Sequence, residues 1–152
     1  SLLYATNFSI GVNLFFHINK KLAALMNKYP DYDVDIEEIH HTQKLDAPSG
    51  TAITTAEGVL QELKRKQEWK NIMQGEPNSN LKQQDLLITS IRTENVPGTH
   101  TVKYHSDIDS IELKHTAFNR KGFALGAIIA AEWLIGRKGI FTMTDVLAEN
   151  FN

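Results

Sequence analysis

Apolar positions follow two rhythms along the chain. Over 10–28 they recur at positions 10, 14, 15, 18, 22, 25 and 26, the spacing of one face of an amphipathic helix. Residues 27–33, with Pro30 inside, break that pattern and turn the chain. Val34, Ile36 and the residues up to Ile39 alternate with acidic ones, which predicts a half-buried strand over 34–41. Apolar residues at 52, 56, 59, 60 and 63 then predict a second helix, from Thr51 to about Trp69. Residues 71–80, polar with Gly75 and Pro77, read as a loop. Three strand patterns follow at 85–92, 99–105 and 110–117, joined by turns at 96–98 and 106–109, and an antiparallel meander is their economical pairing. The apolar run 123–135 carries the small residues Ala124, Gly126, Ala127, Ala130 and Ala131, which predicts a helix buried against the sheet or another domain. Residues 140–147 add a strand-like piece and a capped final turn, and 2–5 read as the end of a strand. The sum is an α+β fold, a mixed and mainly antiparallel sheet of about four strands covered by helices.

The rhythms meet in Glu38-Ile39-His40-His41-Thr42-Gln43-Lys44-Leu45-Asp46-Ala47-Pro48-Ser49-Gly50-Thr51-Ala52, where a strand ends and a helix begins. Pro48 fixes its own φ and biases Ala47 toward extended geometry, Ser49 or Thr51 can cap the helix, and Gly50 lets a ligand approach the backbone. The first N–H groups of such a helix lack internal partners and sit at the positive end of its dipole, a site for carboxylate or phosphate. Lys44 adds a full positive charge, and His40 and His41 are groups that exchange protons near neutral pH. These residues predict a small anionic substrate undergoing proton transfer. Ordinary turn and cap chemistry beside two surface histidines accounts for them equally well, so the run alone leaves both readings open. A P-loop is excluded because Lys44 precedes the glycine, and a nucleophile elbow because Ala47-Pro48 precede Ser49. A zinc site from His40, His41 and Asp46 is disfavoured, since neighbouring side chains on a strand point to opposite faces.

Composition narrows the classes. A chain of 152 residues is long enough for one core and short for two full domains. The formal charge of −2 gives no electrostatic argument for nucleic acid or an anionic membrane. No stretch reaches the roughly 18 apolar residues of a spanning helix. The absence of cysteine excludes disulfides and thiol chemistry and suits a cytoplasmic protein. The chain starts without Met in an apolar segment and reads as an excised domain. His17 is expected at the margin of the first helix, and His100, His105 and His115 as sheet-surface residues, with no metal site. Lys64, Arg65 and Lys66 read as a solvated helix end.

The run His-His-x-x-Lys-x-Asp-Ala-Pro-Ser-Gly-Thr-Ala, ten defined positions in thirteen, resembles the signature of the dihydrodipicolinate reductase family. Residues 5–13 resemble the segment leaving that family's nucleotide-binding domain, and 120–127 its later glycine-containing helix start, so the resemblance spans about 5–147. It implies that 1–152 is the C-terminal substrate-binding and assembly domain of a two-domain dehydrogenase. The N-terminal Rossmann domain is missing, as no Gly-x-Gly-x-x-Gly follows a strand. The resemblance further implies NADH- or NADPH-dependent reduction of a cyclic, unsaturated dicarboxylate to tetrahydrodipicolinate, in the diaminopimelate route to lysine. It also implies a cytoplasmic homo-oligomer, expected to be a tetramer.

On the matching positions, His40 is the proton donor or acceptor and Lys44 the proton donor. His41, Gly50 and Thr51 bind substrate, while Ala5, Thr6, Asn7 and Phe8 pass close to the nicotinamide, with Phe123 a further contact. Asp46 is read as an organiser of the loop, pairing with Lys44 or capping. The chain departs from the family at 71–80, where a glycine- and arginine-rich segment is expected, and at Thr99, where an acid is expected. The alternative reading is a non-catalytic dicarboxylate-binding or oligomerisation module that has lost its cofactor domain; Schiff-base chemistry at Lys44 is a distant third.

Overall fold

The computed structural model of the chain describes residues 1–148. The elements run β1 (Leu2–Tyr4), α1 (Ile10–Met26), β2 (Asp33–His40), α2 (Gly50–Glu62), β3 (Glu68–Met73), β4 (Asp85–Arg92), β5 (Gly98–His105), β6 (Ser110–Ala117), α3 (Lys121–Leu134), β7 (Ile140–Thr142) and α4 (Met143–Leu147). Strands β3-β4-β2-β5-β6 form a five-stranded sheet in that order, and β1 pairs with β7 in a separate parallel ribbon. The fold is thus α+β with a mixed sheet, as the patterns predict.

Three local expectations are corrected. The helix expected to reach Trp69 ends at Glu62, because Leu63 leaves helical geometry and is itself fully buried. The chain then pairs β3 with β4 in parallel, and Trp69 packs onto the core. The expected meander is interrupted: β2 lies between β4, to which it is parallel, and β5, to which it is antiparallel. A strand whose Val34 and Ile36 must be buried gains a ladder on each side by taking the centre. The connection 93–97 consequently passes over the end of β2, where the Thr93 N–H donates to the His40 carbonyl at 2.9 Å.

The third correction concerns α3, which is not buried against the sheet. Only Gly126 and Ala130 are buried, while Leu125 and Ile128 stay more than half exposed. The helix packs instead on β1, α1 and α4, around a small cluster of Ala130, Met143 and Val146 with Leu3, Ala5, Phe8 and Trp133. Gly126 is required there, because a Cβ would collide with the Phe8 carbonyl.

Helices α1 and α2 cover one face of the sheet. The cross-strand rows of that face change character along its length. One row is Ile88–Ile36–Val102–Leu113; the next is Ser90–Glu38–His100–His115; beyond it stand Arg92 beside His40, and Gly98 beside Ala117. The same period-2 alternation that builds the core therefore carries polar groups under the N-terminus of α2.

Of the basic run after α2, Lys64 stays exposed as expected, but Arg65 and Lys66 form a staple instead of a solvated end. Lys66 is 6% exposed and donates to the carbonyls of Gln83 at 2.7 Å and Asp85 at 2.8 Å while pairing with Asp33 at 2.7 Å. Arg65 donates to the Met26 and Tyr32 carbonyls at 3.2 and 2.6 Å. Tyr104 is the opposite case: its hydroxyl is buried with no partner among the described residues, and burial pushes its pKa up to about 12. Urea unfolding is expected to show Lys66→Met losing about 2 kcal/mol and Tyr104→Phe losing nothing or gaining up to about 1 kcal/mol, because one removes made hydrogen bonds and the other an unmade one.

Candidate functional site

The polar rows of the sheet meet at Glu38, which is completely buried. Its Oε1 accepts from the Ser90 hydroxyl at 2.8 Å and from the Arg92 guanidinium at 3.1 Å. Its Oε2 accepts from the Ser49 N–H at 3.1 Å and lies 3.2 Å from Nδ1 of His40, in an orientation short of a well-aligned hydrogen bond. Burial pushes the carboxyl pKa up, but contacts with His40, Ser49 and Ser90 outweigh it and hold the group well below the ordinary carboxylate range. Glu38 is therefore an ionised acid in a dry position.

Arg92 extends the same network into the 41–49 loop. Besides Glu38 it donates to the Asp46 carbonyl at 2.7 Å and the Lys44 carbonyl at 3.4 Å. Lys44 in turn donates to both carboxylate oxygens of Asp46, at 2.8 and 2.7 Å, and this pairing holds the Asp46 pKa down. The loop contains a cis Ala47–Pro48 peptide and ends at Ser49, whose hydroxyl accepts from the Ala52 N–H at 3.1 Å and so caps α2. Ile53 N–H bonds the Ser49 carbonyl, which leaves Gly50 and Thr51 as the open donors of the helix start.

These groups line a cleft of about 490 Å³. His40, His41, Lys44, Gly50 and Thr51 all border it, together with Ser49, Gly98, His100, His115, Arg120 and Phe123. Of the segment expected near a nicotinamide, Thr6 and Asn7 reach the cleft, and Asn7 donates to the Thr51 hydroxyl at 3.2 Å. Ala5 and Phe8 do not; their side chains belong to the small cluster under α3.

His100 is the main correction to the expected site. It is not a surface residue but is 4% exposed, with Nε2 3.1 Å from the Ser49 hydroxyl and its ring edge-on to His40 at 5.0 Å between centroids. Burial, then the neighbouring His40, push its pKa down to about 3, so it is neutral at pH 7. His115 is half-buried, lines the cleft and has its pKa lowered by burial. Only His105 is the sheet-surface histidine expected, 3.2 Å from Asp35.

Glu38, His40 and His100 bring ligand atoms within 4.8 Å of one another, the spacing of a metal site. The carboxylate already has four neighbouring donors, one of them the cationic Arg92, so the donor set reads as a closed hydrogen-bonded network rather than a cation cradle. Ionisable residues that the motif alone did not single out, Glu38, Arg92 and His100, form the floor of the site. Their signal in the sequence is the alternation that puts Glu38 on the same face as Val34 and Ile36.

Residues 11–147 match the family described as dihydrodipicolinate reductase, C-terminus. The chain is 52% identical over 151 residues to the 4-hydroxy-tetrahydrodipicolinate reductase of Christiangramia forsetii, covering 99% of this chain and 60% of that protein. It is 39% identical over 143 residues to the enzyme of the same name from Methanocorpusculum labreanum, covering 93% of this chain and 54% of that protein. Among solved structures it resembles a dipicolinate-bound dihydrodipicolinate reductase from Paenisporosarcina sp. TG-14, with a TM-score of 0.65 and 28% identity over 99% of this chain and 54% of that one. The chain therefore spans between half and two thirds of the length of these relatives. No helix among the described residues is long and apolar enough to cross a membrane.

The buried histidine makes stability depend on pH. His100 binds a proton in the unfolded chain below its ordinary value of 6.5 but in the folded chain only near 3, so its contribution is complete above pH 6.5 and is lost on acidification toward 3. Urea midpoints are expected to fall between pH 6.5 and 4, with a slope from this one proton of up to about 1.4 kcal/mol per pH unit, and His100→Gln is expected to flatten that dependence. Glu38 adds its own acid loss only below its ordinary 4.5.

Proposed function

Since the chain belongs to the family of dihydrodipicolinate reductase C-terminal domains, we propose that it is the substrate-binding and proton-transferring half of a 4-hydroxy-tetrahydrodipicolinate reductase in the diaminopimelate route to lysine. The observation that carries this reading is the cleft itself. An open helix N-terminus, a lysine and an imidazole, the recognition and proton-transfer elements for an anionic ring, border one space of about 490 Å³. A cyclic dicarboxylate fits that chemistry, and the structural neighbour from Paenisporosarcina has dipicolinate bound.

In this reading the Gly50 and Thr51 N–H groups hold one carboxylate at the positive end of α2, and Lys44, His41 and Arg120 face the other. The carboxylate of Asp46 pairs with the Lys44 ammonium at 2.7 Å, so a substrate carboxylate would share or replace that partner. When bound, a nicotinamide cofactor, NADH or NADPH, would supply the hydride for the ring. His40 and Lys44 border the same cleft, and one of the two would deliver the single proton that the ring system takes up after hydride addition. Thr6 and Asn7 fit only the nicotinamide end of such a cofactor, because no glycine-rich phosphate cradle follows a strand among the described residues.

The nucleotide-binding part is accordingly assigned to the portion of the relatives' length that this chain does not span. The proposal includes a cytoplasmic homo-oligomer, expected to be a tetramer. The sheet face turned away from α1 and α2, with the partly exposed Ile39 and Lys103, is the surface available for assembly.

Calorimetric titration with pyridine-2,6-dicarboxylate is expected to show binding, weakened at least about tenfold by Lys44→Ala and by Gly50→Pro, each tenfold being about 1.4 kcal/mol. Proline is suited to the first position of α2, where an added Cβ meets nothing within 4 Å, so Gly50→Pro removes one N–H without removing the helix. Absence of binding both by this chain and by the protein joined to its nucleotide domain would refute the substrate assignment.

A further inference from the structure

None of the roles above uses the buried acid beneath the site. We propose that Glu38 is the positioning residue of the proton-transfer step: its carboxylate holds the Nδ1–H tautomer of His40 and so makes Nε2 the atom that exchanges a proton with substrate. This rests on the reductase reading of the cleft.

The geometry of the two ring nitrogens differs sharply. Nδ1 is buried, and the polar atom that faces it is Glu38 Oε2 at 3.2 Å. An ionised carboxylate only accepts, so the proton between them belongs to the imidazole. Nε2 stands against Gly98 at the wall of the cleft, where a Cβ would approach to 3.1 Å. Glycine at 98 therefore keeps that nitrogen clear, and none of the hydrogen bonds among the described residues engages it.

The carboxylate is itself unable to swing away. Ser49 N–H holds Oε2, while the Ser90 hydroxyl and Arg92 hold Oε1. The His100 ring, edge-on at 69° and 5.0 Å, blocks the His40 ring from the side. The charged and titratable groups around His40 are Glu38 on its own strand, Arg92 from β4, His100 from β5, His115 from β6 and Lys44 from the loop. Glu38 sets a negative charge beside the buried side of the ring, and Arg92, paired with the same carboxylate, offsets part of it.

When His40 acts as the acid, the Nε2–H bond breaks, the proton passes to the reduced ring system, and a neutral imidazole remains with Nδ1–H on Glu38. Solvent returns the proton to Nε2. The carboxylate stays ionised throughout and never takes the proton, the role a buried acid plays behind a catalytic histidine.

Two measurements on the protein joined to its nucleotide domain decide the assignment. Long-range ¹H–¹⁵N NMR of the unaltered protein is expected to show the neutral His40 ring with Nδ1 protonated and Nε2 bare; the reverse tautomer overturns the proposal whether or not any variant folds. Glu38→Gln is expected to lower kcat about 100-fold and to change KM and dipicolinate affinity less than about threefold, with Glu38→Asp recovering part of the loss. A Gln variant with unchanged kcat overturns it. An unaltered two-domain protein without reductase activity would instead refute the reductase reading, and the tautomer would still decide the role of Glu38.

Discussion

A carboxylate buried in a sheet must be met by donors from every side, and the arrangement around Glu38 is the consequence. In a low-dielectric position an unpaired charge of this kind would cost several kcal/mol. Meeting it brings together Ser90 and Arg92 from β4, the backbone of Ser49 at the start of α2, and His40 one step along β2. Three elements distant in sequence are thereby tied to one pair of oxygen atoms. The apolar rows formed by Val34, Ile36, Ile88 and Val102 supply the stability that tolerates this polar row beside them.

The same network makes the site rigid where chemistry needs it rigid. Arg92 joins the buried acid to the carbonyls of Lys44 and Asp46, so the loop bearing the lysine is anchored from below while its side chain stays at the cleft. Ser49 caps α2 with its hydroxyl and contacts Glu38 with its N–H, which fixes the helix start relative to the strand end. A helix N-terminus, an ammonium and an imidazole are thus held in register by backbone and buried side chains. Preorganisation of this sort lets a site stabilise charge without first reorganising itself.

The individual helices and strands were legible because local periodicity dominates them: α1, β2, β4, β5 and β6 fall where the apolar rhythm places them. Strand order was not, since pairing is a long-range choice. Nothing in 34–41 alone says that β2 will divide β4 from β5. β3 escaped because Glu68, Lys70 and Asn71 dilute its alternation beyond recognition.

The cleft-lining part of the site was legible from the run around His40, Lys44, Gly50 and Thr51, which is continuous in sequence. Its floor was not. Arg92 lies 54 residues from Glu38, and the burial of His100 depends on a strand pairing that its own neighbours, Thr99 and Thr101, do not announce. Ala5 and Phe8 illustrate the converse: a segment that passes the site need not point every side chain into it.

The most direct test of this account is a double-mutant cycle between Glu38 and Arg92, read as the free energy of unfolding for Glu38→Gln, Arg92→Met and the pair. If the buried acid and its guanidinium form the junction of sheet, loop and helix, each single change leaves the other group uncompensated and costs about 3 kcal/mol, while the double variant costs clearly less than their sum. Strict additivity of the two changes would show that the groups do not depend on each other and would contradict the account.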